Sequence, residues 1–123
     1  MPADLVTAAF LIGRLLLGAH YLIAGIRNFL KMPALVPAMA ERGVPLPRLS
    51  LIVGLTVQTI GGAMVAFGVY PAVGAIALIV FTIVATVLFH NFWAFTGAER
   101  TRHISFNLTN MALCGALLMA AAT

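Results

Sequence analysis

From Leu49 to Ala98 the chain runs for 50 residues without one Asp, Glu, Lys or Arg. Soluble domains average about 25% charged residues, so water is the wrong solvent for such a stretch. A helical membrane span takes about 20 mostly apolar residues at a 1.5 Å rise, which gives this run room for two crossings. Gly68-Val-Tyr-Pro71 supplies the turn between them. Ile104 to Thr123 is a further uncharged run of 20 residues and forms a third crossing. Leu5 to Phe29 gives the fourth, interrupted by Arg14 and reaching Arg27. The chain as a whole is 63% hydrophobic and 8% charged. The expected architecture is all-α: an integral membrane four-helix bundle, one membrane domain over residues 1–123. Its spans are expected near 5–29, 49–68, 71–95 and 104–122.

The formal charge of +4 does not imply a nucleic-acid partner, because the basic residues are scattered among apolar spans and make no groove-sized patch. Their positions read instead as a topology signal. Arg27, Lys31, Arg42 and Arg48 lie between the first two spans, and Arg100 and Arg102 between the last two. The Tyr70 turn and the C-terminus carry none. Successive spans alternate in direction, so both basic connections share a side, and the positive-inside rule makes that side cytoplasmic. The protein is expected to be multi-pass in the cytoplasmic (inner) membrane, with both termini outside, in the periplasm if the cell is a Gram-negative bacterium.

Asp4 precedes an apolar stretch too long for a signal-peptide core, and no small-residue cleavage site comes before Arg27, so the first span is expected to stay in the protein. Residues 31–47 contain four prolines with Leu35, Val36 and Met39 at helical spacing. They read as a short interfacial helix between the first and second spans, started by Pro33 and stopped at Gly43. Cys114 is the single cysteine, which excludes an intrachain disulfide, a C-x-x-C pair and c-type haem attachment. No metal site is expected and no cofactor is built in.

Ionisable and polar side chains at membrane depth are costly and usually functional. Counting from the outer end of each span at about 1.5 Å per residue puts Arg14, Gln58, Thr82 and Cys114 near one midplane. Arg14, Gly18, Tyr21, Gly25 and Asn28 form one helical stripe; Gly54, Gln58, Gly61, Val65 and Gly68 form another. This layering predicts that Gln58 accepts a hydrogen bond from the Arg14 guanidinium, as an interhelical clamp or as a site for an anion or polar head group. Arginine stays charged at any relevant pH and is a poor proton carrier.

A second polar layer lies nearer the basic connections. Thr82, Thr86 and His90 share one helix face, and His103, Asn107, Asn110 and Cys114 share another, with Tyr21 pointing in from the first span. Phe92, Trp93 and Phe95 are placed to close that layer as an aromatic lid. A histidine, a phenol and two amides under aromatic rings suit a quinone, with hydrogen bonds to its carbonyls and proton exchange at His90. The competing account is that such amphipathic rings gather at membrane interfaces in any case.

In the order and spacing of these residues the chain resembles the DoxX family of small four-helix bacterial membrane proteins. The likeness rests on Gly13-Arg-Leu-Leu-Leu-Gly18, Ala24-Gly25 followed by basic residues, Gly43-Val-Pro45, Gly61-Gly62, His90 with Phe92-Trp93, and Asn110. Three features depart from the family pattern: Glu is common where Gln58 stands, Lys is common near Arg27, and Lys-Asn is common where this chain reads Thr109-Asn110. The missing helix-two carboxylate weakens any proton relay.

The resemblance implies an accessory subunit of a redox, quinone-linked membrane complex, with quinone as the ligand and other membrane or redox subunits as partners in the lipid bilayer. Arg14, Tyr21, Gln58, His90, Trp93 and Asn110 are the candidate ligand-binding residues, and none is assigned as catalytic. Two other readings stay open. One is a structural or assembly subunit without its own ligand; the other is a small anion- or lipid-binding carrier using Arg14.

Overall fold

The computed structural model describes residues 1–123. It contains α1 (Ala3–Leu30), α2 (Met32–Glu41), α3 (Pro47–Phe67), α4 (Pro71–Phe89), a 3₁₀ turn at Phe92–Ala94 and α5 (Gly97–Ala121), with no strand. Four of these segments are long and apolar enough to cross a membrane, the 3₁₀ turn being counted with α4. The long helices pack in the order α1–α3–α4–α5, and α1 closes the ring by a slighter contact with α5. One end of the bundle carries the Val69-Tyr70 turn, here called the hairpin end. The other carries the α1–α3 and α4–α5 connections and is the basic end.

Proline and glycine set the limits of the elements. Pro33, Pro47 and Pro71 occupy the first turns of α2, α3 and α4, where the missing N–H has no intrahelical acceptor to lose. Gly68 ends α3 in the left-handed region at φ 71°, where glycine meets no Cβ penalty. Leu46 and Tyr70, each preceding a proline, also lie there, at φ 46° and 44°. A side chain in that conformation costs on the order of 1–3 kcal/mol.

The limits differ from the expected spans at the basic end. α4 stops at Phe89, where expectation carried the helix to 95. The backbone turns at His90, whose carbonyl is taken by Asn107 Nδ2 at 2.6 Å, satisfying one of the acceptors a helix end leaves open. α5 starts at Gly97, seven residues before the expected 104. The charged residues that delimit the uncharged run form its opening turns, with Glu99 in the first, where a carboxylate complements the helix dipole.

Two apolar clusters hold the bundle. Towards the hairpin end, Tyr21, Val65, Ala75, Leu78 and Leu117 pack together, the last four fully buried. At the basic end Met39 of α2 packs on Leu51 and Leu55 of α3, with Phe29 and Phe89 beside them. Ile12, Leu16, Val73, Ile76, Val80, Ile83 and Val87 are all exposed, as expected where the solvent is lipid. Lipid gives helices no hydrophobic reason to associate, so close fit has to do it. Along the α1–α3 seam a methyl added at Gly18 would meet the backbone of Gly62 and Ala66. One added at Gly62 would meet Leu22 N at 2.6 Å and Gly18 O at 2.9 Å. Glycine at both positions lets the backbones touch.

Candidate functional site

A cavity of about 560 Å³ opens between α1, α3 and α4 towards the basic end, reached by α5 through Asn110 and Leu113 and by α2 through Leu35 and Met39. Its walls are mainly apolar, formed by Leu51, Leu55, Phe81, Leu88 and Phe89 among others. Four side chains predicted as ligand-binding line it together: Tyr21 from α1, Gln58 from α3, His90 at the end of α4 and Asn110 from α5. Each of the four long helices, or its end, contributes one of these four, and His20, Asn28, Ser50 and Thr82 line the cavity beside them.

Hydrogen bonds fix most of these groups. Thr82 gives its hydroxyl proton to Leu78 O (2.7 Å), so Tyr21 is the donor in the 2.7 Å contact between its hydroxyl and Thr82 Oγ1. Thr86 donates to Thr82 O (2.6 Å), and its oxygen accepts from Asn110 Nδ2 at 2.8 Å. Asn28 Nδ2 donates to Gln58 Oε1 at 3.2 Å. The other end of that amide, Gln58 Nε2, makes no hydrogen bond within the chain, and the residue lines the cavity while only 5% exposed.

At the basic end His90 Nδ1 and His103 Nδ1 lie 3.1 Å apart. One ring must then carry its proton on Nδ1 and the other must present a bare Nδ1. Phe106 stacks on His90 at 4.5 Å between centroids, and Phe95 stacks on His103 at 4.4 Å. Asn107 bridges the carbonyls of His90 and His103 (2.6 and 2.8 Å).

α2 forms the cavity's wall at this end, and Arg42 holds it there. Arg42 Nε donates to Leu88 O (2.8 Å) and Nη1 to Ala38 O (2.9 Å), while its guanidinium lies 4.8 Å from the centre of the Phe89 ring. A cation on the last carbonyls of α4 is also favoured by the helix dipole. The segment read from sequence as an interfacial helix is thus a structural part of the site.

Two predicted site residues fall elsewhere. The expected Arg14–Gln58 pair is absent: Gln58 accepts from Asn28, and the Arg14 guanidinium lies against Gly68. Gly68 is ten residues beyond Gln58 on the same strip of chain, about 15 Å along a helix. The midplane layer failed because it assumed that all spans begin at one level, whereas α1 begins eleven residues before Arg14. Arg14 lines a separate cavity of about 480 Å³ between the start of α1 and the end of α5. Trp93 is 62% exposed and packs edge-on against Phe92; the rings flanking the histidines are Phe95 and Phe106. Because α4 ends early, Trp93 lies on the 3₁₀ turn, outside the cavity wall.

Asn28, Thr82, Thr86, His103 and Asn107 join the site although none was singled out as ligand-binding. All five lay on the polar stripes visible in the sequence. Phe106 gave a signal too, standing three residues after His103, the spacing that places side chains on one helix face.

Comparison with known proteins agrees with this architecture. The DoxX family model matches residues 9–91, which take in α1 from Ala9 onward, α2, α3, α4 and the His90 end of the cavity. The inner membrane protein YphA of Escherichia coli (strain K12) is 27% identical over 114 residues, covering 92% of this chain and 81% of that protein. No solved structure matches. Four apolar helices and a relative in the inner membrane describe a multi-pass membrane protein embedded in the lipid bilayer, and with the family model covering most of its length the chain belongs to the DoxX family.

Proposed function

We propose that this protein is an accessory membrane subunit that holds the ring of a quinone in the cavity beneath α2 and serves a partner oxidoreductase. The observation that carries the reading is the cavity itself. At about 560 Å³ it lies in the range of ordinary ligand pockets, apolar with a few convergent polar groups. Gln58 lines this mainly apolar cavity with its Nε2 donor unused within the chain, which suits a carbonyl oxygen better than a hydrocarbon tail. His90 supplies a second donor at Nε2 when its Nδ1 accepts from His103. Tyr21 and Asn110, held by Thr82 and Thr86, fix the polar edge on the opposite wall. A bound quinone would supply electron transfer; the chain's own groups orient it, with the His90 Nε2–H as a hydrogen-bond donor to it. No side chain here is a redox centre, hence the partner.

The orientation that goes with this reading rests on the positive-inside rule: Arg27, Lys31, Arg42, Arg48, Arg100 and Arg102 cluster at the basic end, which supports a cytoplasmic basic end and periplasmic termini. The quinone ring is then bound nearer the cytoplasmic face.

The test is purification in mild detergent from quinone-containing membranes, followed by extraction and native mass spectrometry. We expect about one quinone per chain, and at least tenfold less in Gln58→Leu and His90→Leu proteins that melt like the parent. Finding neither quinone nor an oxidoreductase partner in the parent refutes the proposal. A second reading, a structural or assembly subunit, is favoured by the backbone contact at Gly18 and Gly62. It predicts that substitutions at Tyr21 and His90 leave function intact while bulk at those glycines abolishes assembly.

A further inference from the structure

The second cavity is a different kind of site. It is a wedge of about 480 Å³ between the first half of α1 and the last turns of α5, walled by Phe10, Gly13, Leu17, Ala116 and Ala120. Arg14 is the one charged side chain among the eleven residues that line it. Its Nε is buried and has no hydrogen-bond partner. The guanidinium lies so close to Gly68 that a methyl there would come within 2.6 Å of Nη2, so the turn after α3 is cut back to admit the cation. Arginine cannot escape this position by losing its proton; beyond the partial negative charge at the end of α3 no acidic side chain lines the wedge to compensate it, and a charge among apolar side chains is costly. A planar fork of N–H donors matches the oxygens of a phosphate.

We propose that this wedge binds an acidic phospholipid from the leaflet at the hairpin end, its phosphate on Arg14 and an acyl chain along Phe10 and Leu17. The apolar walls call for a chain as well as an anion, which a free inorganic ion does not supply. The cavity has no acidic side chain to receive the ammonium group of a zwitterionic lipid, so a headgroup with net negative charge fits best. The site is independent of the quinone reading: it lies at the other end of the bundle and shares no lining residue with the larger cavity.

The experiment is native mass spectrometry of the full chain released from nanodiscs of dioleoyl phosphatidylglycerol, dioleoyl phosphatidylcholine or an equal mixture. The parent is expected to retain one phosphatidylglycerol with at least a tenfold preference over phosphatidylcholine. Arg14→Gln should abolish that preference. Gly13→Leu keeps the charge and fills the wedge, since an added Cβ meets nothing within 4 Å; it should lower retention at least fivefold even if Arg14→Gln fails to fold. Millimolar inorganic phosphate should not displace the lipid. Equal retention of the two lipids by the parent, unchanged retention in either folded variant, or displacement by phosphate would overturn the proposal.

Discussion

Where α1, α3 and α4 pack together, the hairpin half is sealed and the basic half is hollow, the smaller wedge of the hairpin end lying outside that seam, between α1 and α5. At the sealed end Val65, Ala75, Leu78 and Leu117 are fully buried, and α1 meets α3 backbone to backbone at Gly18 and Gly62. At the hollow end the same α3 face continues as Gly54 and Gln58, and the nearest atom to a methyl on Gly54 is Phe81 Cε1 at 3.8 Å. Small residues therefore serve opposite purposes on one helix. In the first half they bring backbones together; in the second they leave space that no side chain of the protein fills. The sealed half is rigid enough to position Tyr21 and Thr82, and the hollow half presents the groups they anchor.

This contrast can be broken most severely at the seam. Gly62→Leu puts a branched side chain where backbone atoms of α1 lie 2.6–2.9 Å from a single added Cβ. Overpacking a core costs about 1–3 kcal/mol when side chains can yield, and backbone cannot, so we expect loss of the folded bundle, read as the disappearance of a cooperative melt in detergent. Arg42→Ala should come next. It removes two hydrogen bonds to carbonyls, worth about 1 kcal/mol each at an exposed position, and frees α2 from Leu88. Faster hydrogen exchange in 32–41 with α3 unchanged would confirm that the basic end is closed by a latch.

Tyr21→Phe deletes the donor to Thr82. Interhelical hydrogen bonds in membranes average about 0.6 kcal/mol, so the melt should drop by only a degree or two. A large drop would mean that the polar groups hold the bundle together. Gly54→Ala should be the mildest: there is space for the methyl, so stability stays level or rises slightly with the better helix propensity, while the cavity narrows. If it destabilises as Gly62→Leu does, the distinction between the halves fails.

The helices were legible in the sequence because apolar length and charge placement depend on the bilayer, a solvent of fixed thickness. Register was not. Arg14 and Gln58 share a depth only if α1 and α3 are counted from a common plane, and the contact of Gly18 with Gly62 and Ala66 sets a different alignment. Nothing local to Arg14 announces that contact. The polar stripes of Tyr21, Thr82, Thr86 and Asn110 survived because they rest on helical periodicity within each element, which holds whatever the register between them. Trp93 was misplaced for a third reason: α4 ends where Asn107, from another helix, captures the His90 carbonyl, and a pairing made across the fold leaves no mark in the run of apolar residues.

The claim that the hollow half is a ligand site is tested most directly by photolabelling. A quinone carrying a photoreactive group on its ring, added to the protein in nanodiscs and mapped by peptide mass spectrometry, should mark the stretches holding Gln58, Phe81 and Asn110. Free quinone should compete for that label. Label confined to lipid-facing positions such as Ile83 and Val87, or insensitive to competitor, would contradict the account.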